Sequence, residues 1–255
     1  MSSILSVQQI NKVYGKMPNE FYALKNVSFE IEKGQFVAVM GPSGAGKSTL
    51  LNVLATIDTA TEGAVYMNGK NISAMKEEQL ADFRRDHLGF IFQDYNLLDS
   101  LTVRENILLP LAIQKTSATA IKERVESIAS MFGIEMLLDK YPYQISGGQK
   151  QRTAASRALI TNPTLIFADE PTGALDSKSA TDLLQSMAKL NETHDATIMM
   201  VTHDAYAASF CERVLFIKDG SFSKEIFKGN MTRKQFFQII LQELATVGGD
   251  IDDVI

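Results

Sequence analysis

Every position from 36 to 40 is apolar: Phe36, Val37, Ala38, Val39 and Met40. A strand with one wet face alternates apolar and polar residues, so an unbroken run of this length predicts a strand buried on both faces. The same signature recurs at 165–168, 198–201 and 214–217. Between these runs, apolar residues at helical spacing predict helices over 47–55, 177–190 and 205–211. Buried strands alternating with helices predict an α/β fold, a mostly parallel sheet with helices on its faces.

The pattern changes on either side of that core. Upstream, 5–10 and 27–31 are rich in β-branched and aromatic residues, and Glu32-Lys33-Gly34 reads as a turn, which predicts an antiparallel β edge before the first buried strand. From Gln93 to Ala158 strand-like runs are scarce, and helical spacing appears at 103–113, 118–132 and 147–160. That predicts a helical subdomain, 94–158, inserted into a core formed by 1–93 and 159–231. After Gly220 comes a hairpin-like stretch. Phe236, Phe237, Ile240, Leu241 and Leu244 then space out an amphipathic helix over 232–247, followed by an acidic tail to residue 255.

Composition narrows the possibilities. The 25 basic and 30 acidic residues leave a formal charge of -5, without the cationic surplus of a phosphate-backbone binder, so no nucleic-acid partner is expected. Cys211 is the only cysteine; it can form no intrachain disulfide and suggests no zinc cluster, in keeping with a reducing cytoplasm. The first residues show no secretory pattern. No apolar run reaches the roughly 18 residues of a membrane span, so if a membrane is involved another polypeptide must cross it.

Gly41-Pro42-Ser43-Gly44-Ala45-Gly46-Lys47-Ser48 follows a buried strand and opens a helix, the context that a phosphate-cradling loop requires. Its glycines let backbone N–H groups converge on one anion at a helix N-terminus, Lys47 can reach the β/γ-phosphates, and the Ser48 hydroxyl can ligate Mg²⁺. Asp169 and Glu170 end the buried run 165–168, where α/β sheets keep their ligand crevice. Asp169 is suited to holding Mg²⁺, and Glu170 to polarising the water that attacks the γ-phosphate. Ser146-Gly147-Gly148-Gln149 opens another predicted helix and offers a second set of N–H groups for an anion.

These motifs, with Gln93 between the first two, Ala174-Leu175-Asp176 after Glu170, and His203 last, resemble the ABC ATPase family over residues 5–220. The resemblance implies two ATPase subunits sandwiching two ATP molecules, each held by the phosphate loop of one subunit and the serine-glycine signature of the other. It gives Tyr14 the role of stacking on adenine and Gln93 that of sensing Mg²⁺ and relaying to a membrane permease. Asp176 would cross the dimer interface, His203 would contact the γ-phosphate, and Thr49 would join the ATP-binding set.

The stretch FQDYNLLDSLTVRENILLPL is similar to the branch containing macrolide-export, lipoprotein-release and cell-division ATPases. Together with SGGQKQRTAASRAL and FADEPTGALDSKSA it looks most like the bacitracin-type antimicrobial-peptide resistance ATPases. That implies a homodimer driving a large permease at the cytoplasmic face of the membrane, in some systems signalling to a sensor kinase. A mechanotransmission ATPase of the lipoprotein-release or cell-division type is the alternative; a soluble ABC ATPase is a third, against which the lack of tandem halves or a long coiled coil counts. Part of the leucine-rich segment 94–111, with Leu97 and Leu98, is expected to dock the permease.

Overall fold

The computed structural model describes residues 3–248. Its strands are β1 (Ser3–Tyr14), β2 (Phe21–Glu32), β3 (Phe36–Met40), β4 (Glu62–Met67), β5 (Lys70–Asn71), β6 (Leu88–Ile91), β7 (Leu165–Asp169), β8 (Ile198–Val201), β9 (Arg213–Lys218) and β10 (Ser221–Phe227). Its helices are α1 (Lys47–Leu54), α2 (Glu77–His87), α3 (Val103–Ile113), α4 (Ala118–Met131), α5 (Gly147–Leu159), α6 (Ser177–His194), α7 (Ala205–Ala208) and α8 (Arg233–Gly248).

Two sheets result. A six-stranded sheet runs β10-β9-β3-β8-β7-β6, parallel throughout except for the antiparallel edge strand β10. A four-stranded antiparallel sheet runs β2-β1-β4-β5.

The unbroken apolar runs follow from a core on each side of the parallel sheet. Phe36, Ala38 and Met40 of β3 join one buried cluster with Ile166, Ala168, Ile198, Met200 and residues of α3 to α8. Val37 and Val39 face the other way, into a cluster with Phe167, Val201, Leu50 and Leu54 of α1, and Leu5, Val7 and Ile10 of β1. Alternate residues of one strand therefore serve two interiors. Val103, Ile107 and Leu111 of α3 and Val125 of α4 belong to the same cluster as Phe36, so the helical insertion shares its core with the sheet.

Two differences from expectation have local causes. The helix at 205 stops at Ala208, because the Ser209 hydroxyl donates to the Tyr206 carbonyl at 2.6 Å and Phe210 and Cys211 close turns onto Ala207 and Ala208. The segment 62–91 holds β4, β5, α2 and β6, none of them anticipated. The terminal helix buries Phe236 and Ile240 completely; the acidic tail beyond Gly248 lies outside the described residues.

Candidate functional site

β3 ends at Met40, and the loop that follows turns into α1 at Gly46, which sits at φ +100°; a Cβ there would stand 2.5 Å from the Ala23 carbonyl oxygen. Only glycine fits that turn. Lys47, first in α1, donates from Nζ to the carbonyls of Gly41 at 2.8 Å and Pro42 at 2.9 Å, so its ammonium stays at the mouth of the loop. Burial pushes its pKa down, against the pull of Glu170 and Asp169.

The two acids arrive on β7, held level with β8 by parallel pairing of Asp169 with Val201. Burial, reinforced by Glu170, pushes the Asp169 carboxyl up, and Lys47 opposes the shift. Glu170 leaves the strand at φ +44°, its N–H bonded to the Val201 carbonyl at 2.9 Å. Its Oε2 accepts from the Thr202 hydroxyl at 3.0 Å, while Oε1 accepts from the His203 backbone N–H at 3.1 Å and faces His203 Nδ1 at 2.8 Å. The imidazole is otherwise exposed and can turn to a ligand.

Gly41, Ser43, Gly44, Gly46, Lys47, Ser48, Thr49, Glu170 and His203 line one open cleft of about 630 Å³, and Ala45 is buried behind it. Phe21 and Ala23 of β2 complete the wall. Sequence reasoning missed Phe21, although its cross-strand pairing with Tyr14 puts it at the end of the same hairpin. Tyr14 is not itself among the lining residues; it pairs with Phe21 across the hairpin, is 40% exposed, and its hydroxyl donates to Asp58 Oδ2 at 2.7 Å. Gln93 is exposed, close against Gly173, and is not among the residues lining the cleft.

The second motif lies apart from the first. Ser146 caps α5 by accepting from the Gln149 N–H at 3.4 Å, and Gln149 Oε1 accepts from the Ser146 N–H at 2.9 Å. None of Ser146, Gly147, Gly148 and Gln149 lines the cleft. Gly148 instead lies against α6: a Cβ on it would meet Ser179 Oγ at 2.5 Å. That hydroxyl donates to Asp176 Oδ2 at 2.7 Å, and the Asp176 Oδ1 caps α6 by accepting from the Lys178 and Ser179 N–H groups. The bonds from Ser179 hold the Asp176 carboxyl below the usual carboxylate range. Signature and Asp176 thus form one patch, exposed at Ser146 and Asp176 and half-buried at Gly147, Gly148 and Gln149, with its own helix N-terminus outside the cleft lining.

Gln151 also escaped sequence reasoning. It is fully buried, and its Nε2 donates to the carbonyls of Phe92 at 3.1 Å and Pro171 at 2.8 Å, tying α5 to the segments carrying Gln93 and Glu170. Among the described residues no three His, Cys, Asp or Glu side chains converge as a metal cage. The Ser48 hydroxyl, the Asp169 carboxylate and the Gln93 amide are hard oxygen donors, which suits Mg²⁺ held mainly by phosphates and water. No described helix is long and apolar enough to cross a membrane.

Residues 24–173 match the family model described as ABC transporter. A bacitracin export ATP-binding protein, BceA of Halalkalibacterium halodurans, is 52% identical over 98% of this chain and 99% of its own length. The ABC transporter ATP-binding protein YxdL of Bacillus subtilis is 49% identical over 100% of this chain and 98% of its own. Among solved structures, the dimeric cassette MJ0796 bound to ADP and Pi, in a post-hydrolysis state, superposes with a TM-score of 0.80 at 40% identity, over 88% of this chain and 98% of that one. Phosphate loop, paired acids and separate signature, on a fold shared with these proteins, place the chain in the ABC transporter family, as the ATP-hydrolysing subunit of a membrane transporter.

Proposed function

We propose that two copies of this chain hydrolyse MgATP to drive a permease that protects cells against bacitracin-type peptide antibiotics. The observation that supports the chemistry is Glu170, whose carboxylate is fixed by Thr202 and His203 on the wall of the cleft that holds Lys47. Lys47 binds the β/γ-phosphates and Glu170 takes the proton of the attacking water, while His203 turns toward the γ-phosphate. Ser48, Asp169 and Gln93 would hold Mg²⁺, which would neutralise charge on the phosphates.

The dimer follows from separation. One chain offers a phosphate loop and, elsewhere, a partly exposed helix start at Ser146–Gln149, so a head-to-tail pair completes two sites. The full-length likeness to a bacitracin export ATP-binding protein supports the peptide-antibiotic assignment, and a sensor kinase reached through the permease belongs to the same reading.

The test is to delete the gene, challenge cells with bacitracin and complement with wild type or with Glu170→Gln. Rescue by wild type alone is expected. Unchanged susceptibility in the deletion strain would sink the antibiotic assignment while leaving the ATPase untouched.

A further inference from the structure

Tyr14 is the last residue of β1, and an exposed aromatic at a strand end samples several staggered side-chain wells unless something holds it. Here its hydroxyl donates to Asp58 Oδ2 at 2.7 Å, across 44 residues of sequence. Asp58 lies in the loop after α1, the helix that starts at the phosphate loop.

Asp58 is itself held. Lys12, two positions before Tyr14 and 8% exposed, donates from Nζ to Asp58 Oδ1 at 2.5 Å and to the Thr59 carbonyl at 2.7 Å. The same ammonium stands 4.7 Å from the centroid of the Tyr14 ring. A cation over one face of a ring leaves the other face for a stacking partner. Burial pushes the Asp58 carboxyl up, but the bonds from Lys12, Tyr14 and the Thr59 N–H together hold it below its usual range, so the clamp stays ionised at neutral pH.

We propose that Asp58, backed by Lys12, is a positioning residue for the nucleotide base: it holds Tyr14 by its hydroxyl in one orientation, with one ring face free for adenine. The proposal rests on Tyr14 being the adenine platform. A ring released from the clamp spreads over about three staggered wells, and apparent affinity falls by the fraction left in the competent one, about threefold.

The experiment compares wild type with Tyr14→Phe, Tyr14→Ala, Asp58→Ala and the double variant Tyr14→Phe/Asp58→Ala. It measures the Kd for MgATP, the Kd for inorganic tripolyphosphate, and KM and kcat. Tyr14→Phe keeps the ring and the Lys12–Asp58 pair and removes only the handle. The expected result is an MgATP Kd and KM raised about threefold or more in both single variants, with kcat and tripolyphosphate affinity unchanged, and a double variant no worse than the weaker single one.

Wild-type ATP affinity in Tyr14→Phe, alongside weakened affinity in Tyr14→Ala, would overturn the positioning role and leave the platform standing. Unchanged affinity in Tyr14→Ala would overturn the platform and the positioning role together. Tripolyphosphate weakened as much as ATP in Asp58→Ala would overturn the proposal in favour of a general structural role. Should Asp58→Ala not fold, the two Tyr14 variants decide it.

Discussion

Glu170 has a backbone at φ +44°, a conformation that costs a non-glycine residue about 1–3 kcal/mol and persists only where its surroundings enforce it. The enforcing contacts are the Val201 carbonyl and the Thr202 and His203 donors, which aim the carboxylate into the cleft. Glu170→Gln keeps one of the two acceptor oxygens those donors use but cannot take a proton from water. Turnover should fall by about 10²–10⁴, while ATP binding persists and the dimer is trapped; near-normal steady-state hydrolysis by the purified variant would remove Glu170 from the role of base. At Asp169 the prediction concerns pH. Burial and Glu170 raise its folded pKa, so ionisation opposes folding above that pKa, and the opposition vanishes below the unfolded value of about 3.9. Without nucleotide, Asp169→Asn should therefore raise Tm at neutral pH and lose that advantage as the pH falls through the carboxylate range. Melting curves across that range check it, and an advantage that grew on acidification would contradict it. The residues of the phosphate loop and the paired acids were legible because each set is contiguous in the chain. Phe21, Asp58 and Thr202 were not, since nothing in their neighbours marks them until β1, β2, α1 and β8 come together.

Two of the elements hidden from pattern reading, α2 and β4, have a small buried face, whereas β6 was hidden although Leu88, Gly89 and Ile91 are buried. α2 buries only Leu80 and Phe83 on a largely charged helix, and β4 buries only Val65 and Met67. Two apolar residues give no readable period. β3, β7, β8 and β9 were legible from their unbroken apolar runs and α5 from its helical spacing, but what α5 touches was not. An expectation from sequence alone is that Gly148→Asp would block only dimer closure, by setting a carboxylate against the partner's phosphate. The contact with Ser179 changes this: any Cβ at Gly148 collides with Ser179 Oγ and Cβ inside the chain. Gly148→Asp should lower the Tm of the monomer as well, which makes it a poor probe of the dimer. Ser146→Asp is cleaner, because aspartate caps a helix about as well as serine and still presents charge to the partner. Its Tm should match wild type while hydrolysis fails. Mixed with Lys47→Ala, it should regain activity from one composite site; no recovery in verified heterodimers would count against sites shared between chains.

At the scale of the whole molecule, a groove of about 540 Å³ separates the helical insertion from the edge of the parallel sheet, lined by Phe90, Phe92, Leu109, Pro110, Ile113 and Arg157 among others. Ile113 is 59% exposed, and Leu98 on the preceding loop 47%. Arg157 reaches from α5 to the carbonyls of Tyr95 and Asn96, so the groove floor is tied to the segment that begins at Gln93. A permease segment seated there would press on Gln93 through that backbone, and through Gln151 on the segment following Glu170. The docking surface we propose is therefore this groove together with the exposed Leu98 of the loop before α3, rather than Leu97 and Leu98 alone. Ile113→Arg would bury a cation beside Arg85 and Arg157 against the partner, costing several kcal/mol of docking while leaving the phosphate loop, Asp169 and Glu170 untouched. ATP hydrolysis by the isolated chain should persist, while co-purification with the permease and resistance to peptide antibiotics fail together. Leu98→Asp should weaken both to a smaller degree. A folded Ile113→Arg protein that still held its permease and protected cells, beside a Leu98→Asp protein that did neither, would move the coupling surface to the loop.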